Sequence, residues 1–411
     1  MGRRMAAGVS AVAAGLTVAI LLKLVSSAVA GQTSSPPATE TGPAPRTSWG
    51  APDLQGIWNH AYQVPLERPA RYANKEFLTD AERAELDKAR LESLAKADGR
   101  RYKPGTTQDL GLSYSIRIFQ SLRPTGRRTS LIVDPPDGRI PPLTPEARKR
   151  EAALLEFQLA LLQATEACKN KLPGCTGGTY GPPSPRYHDV PPVYLTTNAP
   201  GGSAGAINRA NGPEDRSLGE RCMSAILPDF GAYFRIVQSR DAVSIAYDTG
   251  QGQSWQRLIP ITDHPHLPAH VRQWWGDSRG RWEDKTLVVD VTNFTPKTNF
   301  QGSRENLHLV ERFTRRDAGT LEYAVTIEDP TTFTKPWTVE MELAQLDNRA
   351  NRHYREPRCH EGNYAMPTLL AGARADEREF KEGKGPDPRT VCTAGCGGFA
   401  REEQGAVSEE Q

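Results

Sequence analysis

The strongest structural signal in the chain is Gly276-Asp277-Ser278-Arg279-Gly280-Arg281-Trp282-Glu283-Asp284-Lys285, followed by Thr286-Leu287-Val288-Val289-Asp290-Val291-Thr292-Asn293-Phe294. A turn rich in Gly and Asp leads into a tryptophan and then into a β-branched run. This pattern is typical of a hairpin that enters a long strand. We therefore expect an antiparallel sheet around this segment.

Further strand signals cluster between residues 129 and 344, separated by short turns such as Asp317-Ala318-Gly319. No helical pattern interrupts the last five of them, which argues against a parallel sheet. The sequence predicts a mainly β protein with accessory helices, in which about eight antiparallel strands form a meander closed as a barrel or folded as a sandwich. The predicted strands cover residues 129–133, 233–238, 243–247, 254–261, 285–294, 307–314, 321–328 and 337–343.

Two short motifs, Gly56-Ile57-Trp58 and Gly280-Arg281-Trp282, begin predicted extended segments. They resemble the Gly-x-Trp strand start of lipocalin-like barrels, in which the tryptophan plugs one end of the barrel. The resemblance implies a lipocalin-like meander barrel with a small-molecule ligand in its cavity.

A second resemblance covers residues 215–367, which are similar to a large group of exported bacterial proteins of unknown activity. This resemblance implies export and a β-rich core, and it implies no activity. The matching segments are Ile236-Val237-Gln238, His266, Gly276–Glu283, Thr286–Asp290, His308, Glu311-Arg312 and Asp329-Pro330.

Residues 1–30 have the features of a signal peptide. Arg3 and Arg4 precede an apolar run from Met5 to Leu22, and Ala28-Val29-Ala30 supplies a small-x-small cleavage pattern. We expect an exported protein, periplasmic or secreted. If the leader is retained, its apolar run would anchor the protein in the inner membrane, which would be its one contact with a membrane.

The remaining chain divides by composition. Residues 31–50 are predicted to form a flexible linker, and residues 51–125 an N-terminal segment with one helix that opens at the capping box Thr79–Glu82. Residues 126–367 are predicted to form the barrel domain with a helical insertion at 144–170. Residues 368–411 are predicted to form a loose C-terminal tail.

The charge balance excludes one class of partner. The chain has 51 Lys and Arg against 49 Asp and Glu, and three of the basic residues lie in the leader. Nucleic-acid binding needs a basic face, so no nucleic-acid partner is expected. No sequence pattern calls for a cofactor, and none is expected.

The chain contains six cysteines, an even number that suits an oxidising compartment. Cys168–Cys175 and Cys392–Cys396 bracket short loops, which leaves Cys222–Cys359 to pair across the chain. Six cysteines allow many connectivities, so these pairs are hypotheses. A metal site would favour a Cys-x-x-Cys spacing, which the chain lacks.

Glu311 is the most unusual residue of the predicted strands, because strand alternation places it on the apolar face with Leu309 and Phe313. Burial disfavours the charged form of a carboxylate, so Glu311 is a candidate acid or base with His266 or His308 as its partner. His308 lies three residues from Glu311, however, and would face the other side of a regular strand. A structural ion pair with an arginine is the favoured alternative.

The histidines His264, His266 and His270 lie close together in a proline-containing loop. Alternating histidines can share a metal ion, but loop histidines are more often solvated or bonded to backbone. No metal site is predicted here.

Three functions follow from these patterns. The first is a binding protein that holds a small, largely apolar molecule in a barrel cavity. The second is a hydrolase, lyase or isomerase that uses Glu311 with His266 or His308 in the same cavity. The third is a structural envelope protein with a filled barrel. The candidate ligand-binding residues are Trp274, Trp282, Tyr323, Arg281 and Arg312.

Overall fold

The computed structural model describes residues 42–98, 123–193, 207–217, 220–223, 227–231, 233–248, 254–346, 364–394 and 396. The predicted leader, most of the predicted linker and Cys359 lie outside these ranges. Among the described residues, no helix is both long enough and apolar enough to cross a membrane.

Over these described ranges, ten strands dominate the fold, which confirms the prediction of a mainly β protein. The predicted hairpin that leads into the run from Thr286 is present, but its predicted turn is wrong, because the Gly- and Asp-rich residues before Trp282 form a strand. Residues 277–283 are themselves a strand, and the turn is Asp284-Lys285. The strands are β1 Gly56–His60, β2 Ile132–Asp134, β3 Tyr233–Gln238, β4 Ala242–Asp248, β5 Ser254–Pro260, β6 Asp277–Glu283, β7 Thr286–Thr292, β8 His308–Arg315, β9 Thr320–Glu328 and β10 Trp337–Gln345.

Nine of these strands form a nearly closed antiparallel barrel, consistent with a lipocalin-like barrel. Their order is β5-β4-β3-β1-β10-β9-β8-β7-β6, and β2 pairs with β10 outside this path. An odd number of strands that are antiparallel to their neighbours leaves the first and last strands parallel. Strands β5 and β6 accordingly meet at a parallel bridge between Ile261 and Gly280. We call this junction of β5 and β6 the seam.

The N-terminal segment contributes directly to the barrel, because β1 lies between β3 and β10. Trp58 of the first Gly-x-Trp motif is fully buried, and its indole N–H donates to the Leu54 carbonyl at 2.9 Å. The guanidinium of Arg315 lies 4.3 Å from the centroid of the Trp58 ring. Trp282 of the second motif is half-buried and packs against the same core.

The helices are accessory, as the sequence predicts. Helix α2 starts at Pro145, and its N-cap Thr144 accepts a hydrogen bond from the Ala147 N–H at 3.2 Å. The sequence predicts a loose tail over 368–411, whereas the structure forms a helix to residue 381 there. The helices are α1 Asp80–Asp98, α2 Pro145–Leu162, α3 Glu166–Lys169 and α4 Ala365–Lys381, with short 3-10 turns at Ala70–Tyr72, Pro173–Cys175, Pro185–His188, Pro213–Asp215 and Pro388–Thr390.

Large side chains occupy the barrel interior. Phe234 lies 5.1 Å from Tyr247 and 6.1 Å from Tyr323 between ring centroids, and Tyr323 lies 4.8 Å from Phe313. These four rings are almost completely buried. The barrel interior around these four rings is therefore filled by side chains.

Candidate functional site

At one end of the seam, β5 and β6 approach each other closely beside Gly280. The Thr262 N–H donates to the Gly280 carbonyl at 3.0 Å. A Cβ at Gly280 would lie 2.8 Å from Ile261 Cδ1 and 2.9 Å from Ile259 Cγ2. Contacts that short require a neighbour to move, so the absence of a side chain lets β5 and β6 approach here.

At the opposite end of the seam lies a pocket of about 430 Å³, within the size range of small-molecule sites. We call it the seam pocket. Its walls come from β5, from the start of β6 and from the residues that precede β6. The lining residues are Gln256, Arg257, Leu258, Gln273, Trp274, Trp275, Gly276 and Ser278.

A stack of aromatic rings joins the seam pocket to the barrel interior. Trp255 lies between Tyr247 and Trp275, with ring centroids 4.3 Å apart on each side and interplanar angles of 6° and 10°. Trp255 and Tyr247 are buried, whereas Trp275 is half-buried and lines the pocket. The stack stabilises the position of the Trp275 wall, because stacked aromatic rings add stabilising free energy beyond that of their buried area.

Beneath the pocket lies a buried polar cluster centred on Arg257. Its Nη2 donates to Glu311 Oε2 at 2.5 Å, and the Tyr323 hydroxyl donates to Glu311 Oε1 at 2.9 Å. The Arg257 Nε donates to Ser278 Oγ at 2.9 Å across the seam, and its Nη1 donates to the Tyr247 hydroxyl at 3.2 Å. This cluster ties β5 to β4, β6 and β8.

The charges of this cluster are balanced. The side chain of Arg257 is 3% exposed and that of Glu311 is 0% exposed. Burial raises the pKa of Tyr247 and of Tyr323, so both hydroxyls stay neutral. Burial alone would lower the pKa of Arg257, but the neighbouring Glu311 carboxylate raises it above its usual value. The cluster thus contains one cation and one anion in direct contact.

A second polar group lies on the outer wall of the barrel, and we call it the carboxylate–histidine chain. His266 Nδ1 and Nε2 each lie 2.8 Å from a carboxylate oxygen, of Asp277 and Asp290 respectively. His308 Nε2 and Nδ1 each lie 3.0 Å from a carboxylate oxygen, of Asp290 and Glu328 respectively. Doubly protonated imidazoles satisfy all four contacts, because an ionised carboxylate only accepts.

The pKa values of this chain follow from its hydrogen bonds. The hydrogen bond to Asp290 is the main cause that raises the pKa of His308, and burial opposes it. The hydrogen bond from His308 is the main cause that lowers the pKa of Asp290. The contact between His308 and Asp290 therefore favours a charged imidazole beside a charged carboxylate.

The structure does not bring Glu311 together with His266 or His308. Glu311 faces the barrel interior, whereas His308 lies three residues away on the opposite face of β8, as strand alternation requires. Both oxygens of Glu311 are bonded to Arg257 and Tyr323. The hypothesis of an acid–base pair is not supported by this geometry, and the alternative of a structural ion pair is what the structure contains.

The predicted ligand-binding residues fall in three places. Trp274 lines the seam pocket. Tyr323 lies in the buried polar cluster, and Trp282 packs on the barrel core. Arg281 and Arg312 are exposed on the outer wall, where both bond to Glu283 at 2.7 Å. These two arginines therefore lie away from the seam pocket.

The three loop histidines, at which no metal site is predicted, do not converge on one point. His264 and His270 are exposed, and His266 is bonded to two carboxylates. Within the described ranges, no group of three or more His, Cys, Asp or Glu is arranged to hold a metal ion.

Two of the predicted cysteine pairs form disulfides in the structure. Cys168 bonds to Cys175 with Cα atoms 5.0 Å apart, and Cys392 bonds to Cys396 with Cα atoms 6.2 Å apart. The pairing of Cys222 with Cys359 stays a prediction, because Cys359 lies outside the described residues.

Sequence reasoning missed Arg257 as a site residue, although a signal was present. Arg257 alternates with Trp255 and Ile259, so it shares their inward face just as Glu311 shares the face of Leu309 and Phe313. Two opposite charges on two apolar faces predict an internal ion pair. Ser278 accepts a hydrogen bond from Arg257.

Comparison with known proteins adds no functional assignment. No protein-family model matches the chain, and no curated protein matches it. A proposal of function therefore depends on the sequence and on the geometry of the structure.

Proposed function

We propose that this protein binds a small, largely apolar molecule in the seam pocket. The observation that carries the proposal is a pocket of about 430 Å³ whose wall includes Trp274 and Trp275. Small-molecule sites are typically concave and lined by aromatic side chains, with a few polar groups that fix orientation. Here the side chains of Ser278 and Gln273 supply such groups.

Binding is favoured over catalysis because the proton-transfer groups are separated and already bonded. Both oxygens of Glu311 accept hydrogen bonds inside the barrel. Both nitrogens of His266 and of His308 meet carboxylates on the outer wall. A general acid or base must lie within hydrogen-bond reach of the reacting proton, and Glu311 and the histidines do not line the seam pocket.

The proposal also includes export through residues 1–30. The basic start, the apolar run and the Ala28-Val29-Ala30 pattern support it, and disulfides persist in oxidising compartments. Intact mass measurement of the protein from its natural source tests this part. A mature chain that starts near Gly31 is expected, and a chain that keeps residues 1–30 would contradict cleavage.

Thermal unfolding with a panel of lipids and metabolites tests binding, since a ligand that binds the folded state raises the melting temperature. We expect at least one compound to raise it in the wild-type protein and not in Trp274→Ala. Trp282→Ala is the matched control, because Trp282 is also a half-buried tryptophan but does not line the pocket. An equal loss of the ligand effect in both variants would contradict binding in the seam pocket.

A further inference from the structure

The backbone of β5 presents hydrogen-bonding groups to the seam pocket. Ile261 donates its N–H to the Asp241 carbonyl on the β4 side at 2.8 Å, and the β4–β5 register runs without a shift to Ser254. Alternate residues of an antiparallel strand turn their backbone groups to opposite sides. Gln256 and Leu258 therefore turn their backbone N–H and C=O groups towards the seam. Pro260 follows the same alternation, and its lack of an N–H breaks no hydrogen bond to β4.

In the part of the chain that the structure describes, these groups have no partner strand at the pocket. The bond from Thr262 to the Gly280 carbonyl joins β5 and β6 at the closed end of the seam. Within the described residues, no backbone hydrogen bond joins residues 254–258 to residues 274–278. The side chains of both β5 residues point outwards. Leu258 is 63% exposed, and the Gln256 amide donates to Ser244 Oγ at 2.6 Å. A strand edge is thus left open on one wall of the pocket.

The charge of the pocket selects among ligands. Among the described residues that line it, Arg257 is the only charged one, and its cation is already paired with the fully buried Glu311. A cationic ligand would approach Arg257, and an anionic ligand would lose its hydration beside a cation that is already neutralised. An uncharged ligand carries neither penalty.

We propose that the ligand of the seam pocket is an uncharged, planar molecule that carries an amide or an equivalent adjacent donor and acceptor. The amide bonds to the open edge of β5 at Gln256 and Leu258, as an added strand would. The planar part lies against Trp274 and Trp275. This inference rests on the proposed function, since it names the chemical class of the molecule that the pocket binds.

A matched set of probes tests the class of ligand on the wild-type protein. The set is 2-naphthamide, 2-naphthoate, 2-naphthylmethylamine and 2-methylnaphthalene, which share one aromatic system and differ in polarity and charge. Titration calorimetry measures each affinity. We expect 2-naphthamide to bind at least about tenfold more tightly than each of the others. Equal or tighter binding of the carboxylate, the amine or the hydrocarbon would overturn the inference.

Two variants at one position test the role of the β5 edge. Leu258→Pro removes the backbone N–H that faces the seam, and Leu258→Ala removes the same exposed side chain but keeps that N–H. We expect 2-naphthamide to bind about fivefold to tenfold more weakly to Leu258→Pro than to Leu258→Ala. Equal affinities would overturn the assignment of the edge, and the probe series on the wild-type protein remains decisive if the proline variant does not fold.

The outcomes separate this inference from the proposed function. If a small molecule co-purifies with the protein or a compound of the panel raises its melting temperature, but 2-naphthamide is not preferred or none of the four probes binds, the inference fails and the binding function stands. If the protein carries no small molecule and no compound of any class raises its melting temperature, both fail.

Discussion

His266 fastens the connection between β5 and β6 to the outer wall of the barrel, with its Nε2 2.8 Å from Asp290 Oδ1 on β7. The same connection carries Trp274 and Trp275, two walls of the seam pocket. Asp290 also bonds to His308 on β8, so one carboxylate joins the connection to two strands. The position of the pocket wall thus depends on the contacts of the carboxylate–histidine chain.

Asp290→Asn should reduce the free energy of unfolding by about 1–2 kcal/mol near neutral pH, because it removes two charge-assisted hydrogen bonds that are partly exposed. The raised pKa of His308 stabilises the fold fully below its ordinary 6.5, and this contribution is lost as pH rises through the higher folded value. The lowered pKa of Asp290 stabilises the fold above its ordinary 3.8, and this contribution is lost as pH falls through the lower folded value.

Because the pKa of Asp290 is lowered and that of His308 is raised, Asp290→Asn should reduce the free energy of unfolding most between pH 3.8 and 6.5. Urea unfolding at about pH 6 and about pH 9 should therefore show a smaller penalty at the higher pH. Glu85→Gln, an exposed carboxylate on α1, is the control and should show the same small effect at both. An equal penalty for Asp290→Asn at the two pH values would contradict the charged state of His308.

The strand pattern was predictable because β8, β9 and β10 alternate apolar and polar residues along their length. The sequence pattern did not predict strand β6, because Asp277, Ser278 and Gly280 have low strand propensity. Its form depends on pairing with β7 and on close approach to Ile259 and Ile261. Such contacts are distant in sequence and leave no local signal.

The candidate site was predictable in part. Trp274 could be chosen from its position beside a strand, and Glu311 from the face it shares with apolar residues. The seam pocket itself depends on which strands end the sheet, and that depends on β1, which inserts between β3 and β10 from about 180 residues away in sequence. Periodicity within one segment carries no information on this insertion.

The buried pair of Arg257 and Glu311 should behave as a unit. Arg257→Met or Glu311→Leu alone should cost about 3–5 kcal/mol, because each leaves an unpaired charge inside the barrel. The double variant should be much more stable than the sum of the two losses predicts. Urea unfolding of the four proteins measures the coupling free energy, and strictly additive losses would show that the ion pair does not exist.

Gly280→Ala should destabilise the protein by about 1–3 kcal/mol, because its Cβ has no room against Ile259 and Ile261. Gly372→Ala is the matched control, since a Cβ there meets nothing within 4 Å. Gly372 lies inside α4, where alanine should add about 0.5–1 kcal/mol. Thermal unfolding should thus move in opposite directions for the two variants, and an unaffected Gly280→Ala would contradict the close seam.

Arg315→Lys should cost about 1–3 kcal/mol. Arg315 lies over Trp58, and it donates to the Asp317 carbonyl at 2.8 Å and to the Ala318 carbonyl at 2.5 Å. Lysine lacks the planar guanidinium group that makes these contacts. Its neighbour Arg316 is half-exposed and pairs with Glu322 at 3.5 Å, so Arg316→Lys should change stability by less than about 0.5 kcal/mol. Chemical unfolding compares the two, and equal losses would rule out a special role for Arg315.

Native mass spectrometry of the protein from its natural source tests the binding of a small molecule in the seam pocket most directly. The wild-type protein and Trp282→Ala should carry an additional small organic mass that is released on gentle activation, and Trp274→Ala should carry little or none of it. The same bound mass at equal occupancy in all three proteins would contradict binding in this pocket.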